Sequence, residues 1–245
     1  APRLCPPAME VVAARLSEIN LNDHDELPDD LLVFYHPDTL REIYALKKHS
    51  LRRVSAGTFD ATDAWIRMVA MSRLTGHSPG FFSVYTLPPN QAVSVEAQRK
   101  INAKRKQTPP RRDVAKLILK KSKQLLGDVT PAVRQTLARV SPYARLLNTR
   151  AEATPQLPSG SVSLVVTSPP FLDVVDYATD NWLRCWFAGI DPTAVKLTTP
   201  RKLDAWAAAM TGVLRELHRV LKPGGHVAFE VGEVHGGETK LEQTV

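Results

Sequence analysis

The residues best equipped for chemistry are Ser168, Pro169, Pro170 and Phe171, which follow directly on the apolar run "SVSLVVT". Each proline fixes its own backbone and lacks an N–H, so the pair makes a rigid turn that accepts hydrogen bonds without donating any. Ser168 adds a hydroxyl acceptor and Phe171 an aromatic face. Fixed acceptors beside a stacking ring suit a flat heterocycle bearing an amino group, whose hydrogens the acceptors take while the ring stacks on Phe171. Alone, Ser-Pro-Pro fits an ordinary strand exit better than a site, so its meaning depends on the elements that position it.

In an open parallel sheet, ligands bind outside the carboxyl ends of the strands. The β-branched run at 162–167 reads as such a strand, with the turn at its exit. Helix signals follow in "VVDYATDNWLRCWFAG" and in "RKLDAWAAAMTGVLRELHRVLKPGG", the second expected to end at glycine, and then a second strand, "HVAFEVGEV". Strand, helices, strand is the order of a parallel α/β sheet. The N-terminal half reads as helical. Helices are expected over 8–19, with Val11, Val12, Leu16 and Ile19 inward; over 37–49, begun by Pro37 and capped by Asp38; and from Asp60, stopped by Gly76. Further helices are expected over 95–106, over 113–126 with Thr108 or Asp113 as cap, and over 130–140.

The composition, 43% hydrophobic and 23% charged over 245 residues, is that of a globular protein with a sizeable core. No apolar run is long enough for a membrane span, and the N-terminus lacks the pattern of a secretory signal. Cys5 and Cys185 stand in unrelated contexts without metal-ligand spacing, which fits a reducing cytoplasm better than a disulfide framework. The net charge of +7 is unevenly distributed: residues 99–123 hold eleven Lys and Arg and one acid, Asp113. That segment therefore carries +10 and the rest of the chain −3. A concentrated positive segment is the footprint of a protein that tracks phosphates, or a solvated charged helix. Lys104, Arg105, Lys106, Arg111, Arg112, Lys120 and Lys121 are the candidate phosphate contacts.

"TSPPF" after an apolar strand resembles motif IV of the S-adenosylmethionine-dependent amino methyltransferases, and "LRELHRVLKPGGHVAFEVGE" resembles the helix, turn and strand that follow it in that family. The resemblance covers roughly residues 143–235. It implies an α/β fold: a Rossmann-like parallel sheet with an inserted, mainly helical basic region. It implies S-adenosylmethionine as cofactor, DNA as partner with RNA as the alternative, and a cytoplasmic, in bacteria nucleoid-associated, location. Serine at the first motif position is most typical of DNA cytosine-N4 enzymes, with adenine N6 as the runner-up. By the family's mechanism the exocyclic amine, held by Ser168 and the Pro169 carbonyl, attacks the sulfonium methyl without a covalent enzyme intermediate. Asn148, Thr149 and Glu152 occupy the loop where relatives place a residue near the cofactor adenine. Tyr177 would line the base pocket, although its helix also carries Leu183, Trp186 and Phe187 at core spacing.

The family's glycine-rich cofactor loop has no counterpart, since "KPGG" and "EVGEVHGG" both flank the late strand. "RLCPPAMEVVAARL" resembles the segment after that loop, with Arg3 near the expected ribose-binding acid, which places the loop upstream of Ala1. Three regions are therefore expected: 1–36 as part of the catalytic domain, 37–140 as a basic helical insertion that grips phosphates while the base is flipped, and 141–245 as the catalytic core. The alternative from another class is a nucleic-acid-binding fragment or inactive relative.

Overall fold

The computed structural model describes residues 2–21, 27–87, 93–170, 172, 177–195, 197–198, 200–234 and 239–241. The chain divides into two compact units, Ala1–Ala144 with Ala178–Ala194 and Arg145–Tyr177 with Val195–Val245. The fold is mixed helix and sheet, with a parallel strand pair in the second unit. Among the described residues no helix is long and apolar enough to cross a membrane.

The first unit contains α1 (Met9–Ser17), α2 (Pro37–Ser55), α3 (Ala61–Met71), α4 (Val95–Arg105), α5 (Val114–Leu126) and α6 (Pro131–Val140). Two short helices, α7 (Tyr177–Asp180) and α8 (Trp182–Ala188), follow the proline turn in sequence, and α8 belongs to this unit. The start of each long helix has a local cause. Asp60 accepts from the backbone N–H groups of Thr62 and Asp63 while Asp63 accepts from that of Asp60, a reciprocal cap on α3. Ser94, Asp113 and Thr130 cap α4, α5 and α6. The cap of α2 is His36, whose Nδ1 accepts from the Asp38 N–H; Asp38 instead pairs with Arg41.

One core joins Val12 and Leu16 of α1, Leu40 and Ile43 of α2, Trp65 and Val69 of α3, Val114 and Ile118 of α5, and Leu183 and Phe187 of α8. Val11 faces solvent, unlike the rest of the inward set expected for α1. Residues 1–36 therefore group with the helices and not with the sheet, because Val12, Leu16, Leu31 and Phe34 are buried there. The 178–194 segment joins them for the same reason, so the compact units do not follow the boundaries expected at 36 and 140. Gly76 also has a different role: α3 ends at Met71, and a Cβ at Gly76 would fall 2.4 Å from the Phe81 ring. Packing explains this glycine.

In the second unit β1 (Val162–Thr167) pairs in parallel with β2 (Leu221–Phe229), aligning Leu164 with His226 and Thr167 with Phe229. α9 (Leu203–Val220) ends at Val220, short of the expected glycine, and the chain is extended from Leu221. Pro223 disfavours helical geometry at Lys222 and offers no N–H, and Gly224 takes a φ of +77° within the irregular start of β2. α9 places Trp206 and Met210 against Leu172, Leu241, Phe229 and Val231. A short antiparallel pair, β3 (Glu233–Val234) and β4 (Thr239–Lys240), completes the unit.

Arg15 of α1 and Arg53 of α2 both reach Asp63 and Asp60 on α3, and the Asp63 side chain is only 2% exposed. Burial works upward on the Asp60 carboxyl, but hydrogen bonds from Arg15 and from the Asp63 and Thr62 backbone outweigh it and hold the group at about 2. A depressed carboxyl binds fewer protons in the folded state than in the unfolded chain. Its stabilisation is complete above roughly pH 4 and is lost as the pH falls towards 2. Thermal unfolding followed by far-UV circular dichroism across this range should show a shallower acid loss for Asp60→Asn than for the wild type; equal slopes would contradict the assignment.

Candidate functional site

The proline turn stands where β1 leaves the sheet, next to the exit of β2. The two exits remain in register, since the Glu230 N–H donates to the Thr167 carbonyl at 2.9 Å. Between them opens a crevice of about 580 Å³ lined by Val166, Thr167, Ser168, Ala228, Phe229 and Glu230. Ser168 is exposed at its edge, with Pro169 and Pro170 half-buried behind it. This is the position at which parallel sheets bind ligands.

The turn is fixed from behind by α9. Trp206, fully buried, donates its indole N–H to the Pro170 carbonyl at 3.0 Å. One of the two proline carbonyls is thereby engaged by the protein itself. Phe171, the expected stacking face, lies outside the described residues, as does Asp176. Tyr177 opens α7 and is half-buried. Trp206 and Glu230 were not among the residues singled out from sequence. An acid at the end of an apolar strand was a signal for Glu230, whereas the Trp206 contact depends on packing that no spacing reveals.

Asn148, Thr149 and Glu152 are not gathered with Ser168. They occupy an exposed or half-exposed loop and do not line the crevice. The Thr149 hydroxyl donates to the Ala153 carbonyl at 3.0 Å, and Glu152 pairs with Arg150, whose hydrogen bond lowers the Glu152 carboxyl below its usual range. The loop that follows is fastened to α9: Glu216 accepts from both the N–H and the hydroxyl of Thr154, and Arg219 donates to the Leu157 and Thr154 carbonyls. Arg219, with Thr154, holds the Glu216 carboxyl down at about 2.

The basic segment presents only part of its charge to solvent. Lys104 and Arg105 end α4, and Lys106 follows in the left-handed conformation at φ 50°. All three are exposed, as is Lys120, while Lys121 is half-buried with its Nζ 3.5 Å from Gln124. Arg111, also exposed, and the Arg112 backbone join the segment to α2. Arg111 pairs with Glu42 at 2.5 Å, and the Arg112 backbone exchanges hydrogen bonds with the Thr39 hydroxyl at 2.7 and 3.0 Å. Along α5, Lys116, Lys120 and Lys123 recur at intervals of four and three, opposite the buried Val114, Ile118 and Ser122. That spacing makes one lysine stripe, legible in sequence once the buried face is known.

A second hollow, of about 470 Å³ over Trp182, is built wholly from helical-unit residues and contains none of the turn. No protein-family model matches the chain, and neither does any curated protein or solved structure.

Replacing Trp206 with Phe would keep most of the packing but leave the Pro170 carbonyl without its buried donor. The expected cost is about 1–3 kcal/mol, measured as a lower urea midpoint.

Proposed function

We propose that this chain transfers a methyl group from S-adenosylmethionine to the exocyclic amine of a DNA base, cytosine N4 in the first place and adenine N6 as the alternative. In this reading the strand pair belongs to a Rossmann-like core and the lysine-bearing helices grip the phosphates of DNA whose target base is flipped. One observation carries the proposal: the Ser168-Pro169-Pro170 turn stands beside a crevice at the carboxyl ends of parallel strands, fixed there by Trp206.

The chain's own contribution is confined to the amine side. The Ser168 hydroxyl and the Pro169 carbonyl accept the two amino hydrogens, which orients the nitrogen lone pair and increases its electron density. The prolines present no N–H that would compete for that lone pair. Holding the turn rigid supplies the orientation before the base arrives. S-adenosylmethionine would supply an electrophilic methyl whose bond to sulfur breaks to leave the neutral thioether as the N–C bond forms, and a proton leaves the nitrogen after transfer.

A second reading, nucleic-acid binding without transfer, draws support from the scattering of Asn148, Thr149 and Glu152 away from the crevice. Incubation with labelled S-adenosylmethionine and either DNA or RNA, followed by nucleoside analysis, separates the readings. Label in N4-methylcytosine of DNA is expected, and Ser168→Ala should lower its rate about tenfold or more through loss of one oriented hydrogen bond. Label in RNA alone would overturn the DNA assignment. Bound but unlabelled DNA would favour the second reading.

The phosphate grip has its own measurement. Changing Lys116, Lys120 and Lys123 to Ala should weaken DNA binding and flatten the slope of log affinity against log salt by about 0.9 per lysine in phosphate contact. An unchanged slope would remove the α5 stripe from the interface.

A further inference from the structure

The side chains around Tyr85 form a rigid group in the helical unit that the amine-side chemistry does not use. The Arg105 guanidinium lies 3.7 Å from the centroid of the Tyr85 ring, and Tyr85 remains 37% exposed. Its main chain is held firmly. The Tyr85 carbonyl accepts from Nε2 of Gln98 at 3.0 Å and from Nε2 of Gln107 at 2.9 Å. Both amides also donate to Asn102 Oδ1 at 2.8 Å, and Asn102 Nδ2 donates to the Val33 carbonyl at 2.7 Å. Gln98 is fully buried, so this network is part of the unit's interior.

The stack is flanked by charge. Lys104 and Lys106 stand on either side of Arg105 in sequence, both exposed, and Lys100 lies one turn earlier on the same helix. A guanidinium laid on an aromatic ring keeps its outer face for a second flat partner, and base stacking on aromatic or arginine planes is worth about 1–3 kcal/mol per base. Bases inside a duplex are stacked on one another, so an unpaired base is the partner that can use such a plane. The fixed Tyr85 backbone means that little ordering is needed on binding.

We propose that the Tyr85–Arg105 stack is a platform for an unpaired base in a single-stranded DNA segment, with Lys104 and Lys106 taking the neighbouring phosphates. The choice of DNA rests on the methyltransferase reading, whereas the platform rests on its own geometry.

Fluorescence anisotropy of the full chain with a short labelled DNA strand, its duplex and the RNA of the same sequence, without cofactor, tests the proposal. Arg105→Lys keeps the charge and removes the plane, so single-strand dissociation constants should rise about tenfold while duplex binding is unchanged. Tyr85→Ala should weaken single-strand binding with the same salt slope as the wild type, because no charge is removed. Tyr85→Phe retains the ring and should bind like the wild type, and circular dichroism of each variant checks the fold. The platform is overturned if Arg105→Lys binds the single strand normally, or if it loses as much on duplex. Losses confined to RNA would overturn the assignment to DNA. Methylated DNA with normal binding by Arg105→Lys would sink the platform alone; loss of single-strand binding without methylation would sink only the transfer reading.

Discussion

The division of the chain depends on the burial of Leu183 and Phe187. Both side chains of α8 are almost or fully inaccessible in the helical core, beside Phe34 and the apolar faces of α2 and α3. Burying a leucine and a phenylalanine is worth about 1.5–3 kcal/mol each, and truncating such a phenylalanine costs about 3–5. Further contacts reinforce the docking. Arg67 donates to the Ala188 carbonyl at 2.6 Å, Trp182 donates to the Val93 carbonyl at 3.2 Å, and Gly189 allows Leu51 to approach more closely than a Cβ would permit. Because α8 follows the proline turn so closely in sequence, the chain leaves the sheet unit after Tyr177 and returns to it at Val195. The residues of the turn are thus followed by a covalent anchor in the helical unit.

The strand pair reflects a second constraint. Paired residues of parallel strands share a face, so Val165, Val227, Thr167 and Phe229 form one side, and Leu164, Val166, His226 and Ala228 the other. α9 serves the first side through Trp206, Met210 and Val213. On the second side Leu164 and Val166 are 58% and 75% exposed. A strand with apolar residues on both faces has the composition of a parallel strand covered on both sides. Among the described residues the parallel sheet has two strands, and this second side of β1 is left uncovered.

The sequence made some of this legible and hid the rest for physical reasons. Helices α4, α5 and α6 were readable because Ser94, Asp113 and Thr130 satisfy backbone donors locally, and β1 because its β-branched run ends at two prolines. Local signals fail where tertiary packing decides. "LKPGG" looks like the end of a helix, yet the restriction that Pro223 places on Lys222 acts earlier than the glycines do. Gly76 resembles a helix stop but is required by Phe81. The seven candidate cations look alike in sequence, yet the Arg111 side chain pairs with Glu42 and the Arg112 backbone with Thr39, contacts across about seventy residues that periodicity does not carry. Lys116 and Lys123 emerged only when Val114, Ile118 and Ser122 identified the buried side of α5.

The proline turn and the Tyr85 stack share a way of being positioned. In each, a buried side-chain N–H donor takes the main-chain carbonyl of the segment to be fixed: Trp206 takes Pro170, and Gln98 takes Tyr85. Such a bond orients backbone without occupying the side chains of the segment it holds, as where the Arg105 guanidinium lies over the Tyr85 ring. A neutral hydrogen bond contributes only about 1 kcal/mol net, but leaving a buried donor unmade costs as much or more. The buried indole and amide therefore oppose alternative loop conformations more strongly than they stabilise the fold. In the proposed reading, where the turn presents acceptors to a flipped base and the ring a face to an unpaired one, that opposition would be the useful property, because orientation is supplied before binding.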